Sequence, residues 1–264
     1  MNAQLGELSP APMPGPAPHG AVIRSQATLE WRLMMGNGEQ ILLTLIIPIV
    51  LLIGLGVTNF VSFEVATKAE RLSLLVPGIV ALAIMSSAFT SLAISTGFDR
   101  RGEAIKFLGT TPLSRTGLLA AKVIAVLGIQ AIQLTAILAV GVALGWRPAG
   151  SAPIALVFVL LGTWAFASLG LALAGVLRAE ATLAAANAIY LLLLMGGGVV
   201  IPGSKFPEPW STVVAALPSG ALANGLRESM TGVDLSAAPY AAAVLIVWGA
   251  IGSFAVHRWF RWTS

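Results

Sequence analysis

The sequence predicts an all-α, polytopic membrane protein of six transmembrane helices, with an amphipathic helix before the first span and a short charged helix between the second and third. Three observations carry this. Of 264 residues, 57% are hydrophobic and only 10% charged, whereas soluble domains carry roughly 25% charged residues. The apolar residues are gathered into blocks of the length, about 20 residues, that a helix needs to cross a bilayer. A compact run from Phe98 to Arg115, FDRRGEAIKFLGTTPLSR, breaks two of these blocks apart with charge.

The elements follow in order. Residues 1–21 form a tail with Pro10, Pro12, Pro14, Pro16 and Pro18 among small residues, a composition that cannot bury a core. No Lys or Arg precedes Arg24, so the basic head of a secretory signal is missing and the tail is expected to stay where it is made. Residues 22–264 form the membrane domain. From Val22 to Gly36, Ala27, Trp31, Met34 and Met35 recur at helical spacing among Arg24, Glu30 and Arg32. That pattern suits a helix in the headgroup plane, with a plain extension of the first span as the alternative.

Hydropathy then places spans at about Glu39 to Val57, Leu72 to Gly97, Thr116 to Leu144, Pro153 to Leu177, Ala181 to Val200 and Ala238 to Val256. The third is longer than a bilayer requires and should tilt or project into the cytoplasm. Ile201 to Ser236 holds four prolines and Trp210. It reads either as short helices dipping into the outer leaflet, with a helix from Ala221 to Met230, or as a solvated loop. Gly196, Gly197 and Gly198 are expected to end the fifth helix.

Orientation follows from the basic residues. Arg24, Arg32, Arg100, Arg101, Lys106, Arg115, Lys122, Arg178, Arg258 and Arg261 fall on the side of the termini, against Lys68, Arg71, Arg147, Lys205 and Arg227 on the other. Ten against five places both termini in the cytoplasm under the positive-inside rule. The net charge of +4 is thereby a topology signal, with no nucleic-acid partner implied.

Chemistry within the membrane is sparse. The absence of cysteine excludes disulfides, thiol nucleophiles and Cys-ligated zinc, and His19 and His257 fall outside the apolar blocks, so no metal or catalytic residue is expected. No Asp, Glu, His or Lys sits mid-span; Glu39 and Lys122 lie near span ends, where a lysine can snorkel. Gly198 to Lys205 resembles a phosphate-binding loop, but its Ser-Lys order is reversed, Pro202 interrupts it and it lies on the outer side. Four uncharged polar residues remain as a candidate substrate path: Gln130 and Gln133, three apart in the third span, and Asn187 and Tyr190 at the same spacing in the fifth. Each pair must face protein or water, because a bare amide in hydrocarbon is costly. Interhelical hydrogen bonding is the alternative role.

The charged insert offers a docking surface. Asp99 and Glu103 stand four apart, Arg101, Lys106 and Arg115 follow, and Ile105, Phe107 and Leu108 form an apolar side, with Thr110, Thr111 and Pro112 as a stop. A solvated loop would leave Phe107 and Leu108 without a partner.

These residues resemble the coupling segment of type-2 ATP-binding-cassette (ABC) export permeases, the drug-resistance and antibiotic-export branch, with its pattern D-R-R-x-G-x-L-K-x-L-G-x-T-P-L-x-R. Asp99, Arg100, Arg101, Lys106, Leu108, Gly109, Thr111, Pro112, Leu113 and Arg115 stand at matching positions; Glu103 replaces the usual glycine, with Gly102 one place early. The amphipathic entry helix, the Ile47-Pro48 step and the stretch from Leu217 to Arg227 extend the likeness. The resemblance implies an elbow helix, a six-span permease subunit in the cell membrane, and pairing with a second copy or close relative. It implies a separate ATPase subunit that binds the ATP, so that the chain has no cofactor of its own, docked on Asp99, Arg100, Arg101, Glu103, Lys106, Phe107 and Leu108. The implied cargo is an amphipathic drug-like, lipid or secondary-metabolite molecule. The rival expectation is a membrane scaffold, assembly factor or membrane-embedded enzyme without transport activity.

Overall fold

The computed structural model describes residues 18–36, 38–58, 67–102, 114–232 and 235–260, without the side chains of 39–43 and 115. The described residues are helical, with no strand among them. In chain order they form α1 (His19–Gly36), α2 (Gly38–Val57), α3 (Lys68–Arg101), α4 (Arg115–Leu144), α5 (Ala152–Val176), α6 (Ala179–Gly196), α7 (Trp210–Ala216), α8 (Pro218–Thr231) and α9 (Ala238–Trp259). Among the described residues, helices α3, α4, α5, α6 and α9 are long and apolar enough to cross a membrane, which accounts for five of the six expected spans. The described side chains of α2 are apolar over Thr44–Val57, and the first of the six expected spans falls on this helix.

Local chemistry sets the boundaries. Thr67 caps α3 by accepting from Glu70 N at 3.2 Å, and Ser114 caps α4 by accepting from Gly117 N at 3.0 Å, each satisfying a donor that the helix leaves free. Gly145 ends α4 in the left-handed region at φ 104°, where a Cβ would be strained. The glycine run ends α6 at Gly196, short of the expected Val200, and Gly198 turns the chain at φ 77°. The segment from Ile201 to Ser236 contains helices α7 and α8, the second spanning the helix expected from Ala221 to Met230.

Helix α3 is the axis of the bundle: 83% of its most apolar stretch is buried, against 17% for α6 and 22% for α9. Its middle turn, Met85–Ser91, widens into a π-helix, a distortion that exposes polar backbone and side-chain groups to neighbours. Phe166 of α5 packs edge-on against Phe89 there, with ring centroids 6.3 Å apart. Helix α9 closes on α5 through Gly249, where a methyl would stand 2.7 Å from the Trp164 ring, and through Gly252 against Ser168. Small residues allow such an approach where water supplies no drive to associate.

Candidate functional site

At the Thr116 end of the bundle, three elements converge on one cation. Lys122, in the third turn of α4, is 3% exposed. Its Nζ donates to Glu30 Oε2 of α1 at 2.9 Å and to Asp99 Oδ2 of α3 at 2.7 Å. Gln26, one turn before Glu30, donates to the other Glu30 oxygen at 2.9 Å. A buried ammonium is tolerated only when paired and hydrogen-bonded, so this junction fixes α1, the end of α3 and the start of α4 together. Lys122 therefore does not snorkel outward; its charge is spent inside the protein.

The neighbouring residues of the charged insert are likewise committed. Asp99, Arg100 and Arg101 form the last turn of α3, which continues unbroken to Arg101 and is followed by Gly102. Arg100 is buried, donates to the Ala174 and Leu177 carbonyls at the end of α5, the latter at 3.1 Å, and lies 5.8 Å from the Phe260 ring centroid. An arginine here satisfies the carbonyls a helix end leaves open and meets the negative end of its dipole. Arg101 is exposed and pairs with exposed Glu180, a surface contact of small energetic weight. Glu103, Lys106, Phe107 and Leu108 lie outside the described residues, so the insert is seen only at its root.

A polar node sits at mid-height. Gln130 Nε2 donates to Ser87 Oγ of the π segment at 3.0 Å, and Thr163 Oγ1 of α5 donates to Gln130 Oε1 at 2.7 Å. Tyr190 of α6 is hydrogen-bonded to Ser86 of the same π segment. Gln130 and Tyr190 thus converge on one distorted turn of α3. Gln133 and Asn187 do not join them. Gln133 Nε2 donates to Thr44 O of α2 at 2.8 Å, while its buried Oε1 has no hydrogen bond. Asn187 is exposed and returns its amide to Leu183 O at 3.0 Å.

Toward the opposite end, Arg227 of α8 is buried and reaches only carbonyl and amide oxygens: Gly198 O at 2.9 Å, Val199 O, Leu74 O at 3.3 Å and Asn224 Oδ1 at 3.4 Å. Burial lowers its pKa to about 10, which still leaves it cationic at neutral pH. The turn after α6 therefore presents carbonyls inward to a cation, the reverse of the amide cradle of a phosphate loop. Sequence reasoning missed Glu30, Ser87, Thr163 and Arg227 as partners. Their only linear signal was charge or hydroxyl in otherwise apolar surroundings, on elements far apart in the chain.

Comparison with known proteins gives a consistent frame. A family model described as "ABC-2 type transporter" matches residues 23–231. The "Putative transport permease YvfS" of Bacillus subtilis (strain 168) is 24% identical over 219 residues, covering 80% of this chain and 86% of the relative. The matched region contains the Lys122 junction, the polar node and the root of the insert.

Proposed function

This chain belongs to the ABC-2 type transporter family, and we propose that it is the permease subunit of an exporter that moves an amphipathic drug-like, lipid or secondary-metabolite molecule out of the cytoplasm or inner leaflet. Members of this family are transporter membrane subunits whose ATPase is a separate chain. Here the ATPase docks on the insert from Phe98 to Pro112, with both termini cytoplasmic, α1 as the elbow, α2 as the sixth span, and a second copy or homologue completing the path. The insert's pattern resembles that of the drug-resistance branch, and this chain is proposed to belong there.

The observation that carries this reading is the Glu30–Lys122–Asp99 junction at the root of the insert. A force applied beyond Gly102 is delivered to the end of α3, and from there, through buried ion pairs and the Arg100 contacts, to α1, α4 and α5. An ordinary loop would absorb it. Gln130 and Tyr190 act in this scheme as the mid-membrane polar point on which α4, α5 and α6 bear against the π segment.

The test uses inside-out vesicles holding this chain together with a candidate ABC ATPase subunit. ATP-dependent accumulation of a fluorescent amphipath that requires both chains is the expected result. Accumulation that persists without this chain, or ATP hydrolysis indifferent to it across a broad panel of amphipaths, contradicts the reading.

A further inference from the structure

Helices α4 and α5 are joined at mid-height by the Gln130–Thr163 hydrogen bond, and a groove opens between them on either side of it. The groove toward Trp146 and Ser151, about 740 Å³, is lined almost wholly by carbon and by no titratable side chain. The groove toward Thr116, about 650 Å³, is bounded also by α9 and differs in its rim, where His257 and Thr116 stand. We propose that this second groove is a binding site for one acyl chain of an anionic glycerophospholipid of the cytoplasmic leaflet, with its phosphate at His257 and Thr116. The leaflet assignment rests on the orientation proposed above; the binding chemistry does not.

Depth, lining and charge select this occupant. From Thr116 to Ile124 the α4 wall rises eight residues, about 12 Å at 1.5 Å per residue, close to one leaflet of a hydrocarbon core about 30 Å thick. The wall is apolar, with Leu119, Val123, Leu171 and Val256. Polar atoms deep in the groove are already engaged: Trp164 Nε1 donates to Ser253 Oγ at 3.1 Å, and Ser168 Oγ to Ala165 O at 2.9 Å. Only methylene groups gain there. At the rim the lining contains no carboxylate, and one arginine adjoins it. Arg258 follows His257 in the last turn of α9. A phosphate offers acceptors and negative charge to such a rim, whereas the opposite groove has no titratable side chain in its lining, its adjoining cation being Arg147 between Trp146 and Pro148.

Trp164 is a built-in reporter. The purified full chain in phosphatidylcholine bilayers is given either brominated-chain phosphatidylglycerol or brominated-chain phosphatidylcholine, and the wild-type fluorescence minus that of Trp164→Phe isolates the groove. Each basic residue near a membrane surface favours an anionic lipid roughly fivefold, so half-quenching of Trp164 should need roughly fivefold less brominated phosphatidylglycerol. A double His257→Gln/Arg258→Gln variant should lose that preference, and Ala120→Phe, which fills the groove, should lose quenching by both lipids. Equal quenching by the two lipids in the wild type would mean ordinary annular contact and overturn the site. Absence of quenching by either, as when substrate or a second copy covers the groove, overturns it too. Should Trp164→Phe fail to fold, native mass spectrometry of wild type against the double variant reads retained phosphatidylglycerol instead, and equal retention overturns the proposal. Neither readout needs transport, so failure here and failure of the exporter reading are separable.

Discussion

Lys122 shows how a single residue can hide its role in the linear sequence. Its position near a span end is compatible with snorkelling, and nothing local announces that Glu30 and Asp99, on two other elements, will close over it. Replacing Lys122 with Met leaves Glu30 buried beside no cation; removing one partner of a buried pair costs about 3–5 kcal/mol, so the variant should melt well below wild type. Adding Glu30→Gln should recover part of the loss, and thermal melts of the single and double variants measure it. Gln130 and Gln133 were expected to share one fate because they share a face. Three helical residues turn the chain about 300°, which leaves the two side chains about 60° apart, enough to send one to α3 and α5 and the other to α2. Gln130 bonds at both ends and Gln133 at one, so Gln130→Leu should lower the melting temperature more than Gln133→Leu. Each loss should be near the average of about 0.6 kcal/mol for polar contacts between membrane helices. If instead both variants keep their stability and change substrate-stimulated ATPase activity, the glutamines line a path.

At the scale of elements, the spans were legible because hydropathy is summed over some 20 residues and is insensitive to any one side chain. Their ends were less so. The second span was expected to stop at Gly97 and the insert to begin a new helix at Phe98, but α3 runs on to Arg101, because Asp99 and Arg100 find partners on α4 and α5 that reward a continued helix. The π turn at Met85–Ser91 has no linear signature beyond its serines. The insert divides accordingly: its root is internal structure, and in the proposed scheme its distal part, Glu103 to Leu108, is the part that meets the ATPase. Charge reversal at Arg101 and Lys106, or Phe107→Ala, should therefore abolish coupled transport while membrane insertion and melting temperature stay near wild type. Truncating an anchor at a packed interface costs about 2 kcal/mol or more, read as weakened co-purification with the ATPase. Asp99→Asn should act differently, lowering stability together with transport.

The whole molecule was readable as a class and opaque as a device. Composition alone excludes a soluble fold, and the basic residues divide unevenly between the two ends, but the bundle's axis, its clamp at Arg227 and its junction at Lys122 at the opposite end arise from contacts between residues as much as 153 positions apart. Orientation can be tested in the cysteine-free background. Cysteines placed at Ser9 and Thr263 should be shielded from an impermeant thiol reagent in intact cells, and one at Ser204 should react; labelling at either terminus would overturn the cytoplasmic placement of the insert. The most direct test of the docking claim places a photo-crosslinking amino acid at Phe107 in cells that also express the ATPase subunit. The expected result is an adduct of this chain with the ATPase that is absent when the same crosslinker stands at Ser204. An adduct at Ser204, or none at Phe107 in a variant that still transports, would contradict a separate ATPase driving this permease through its charged insert.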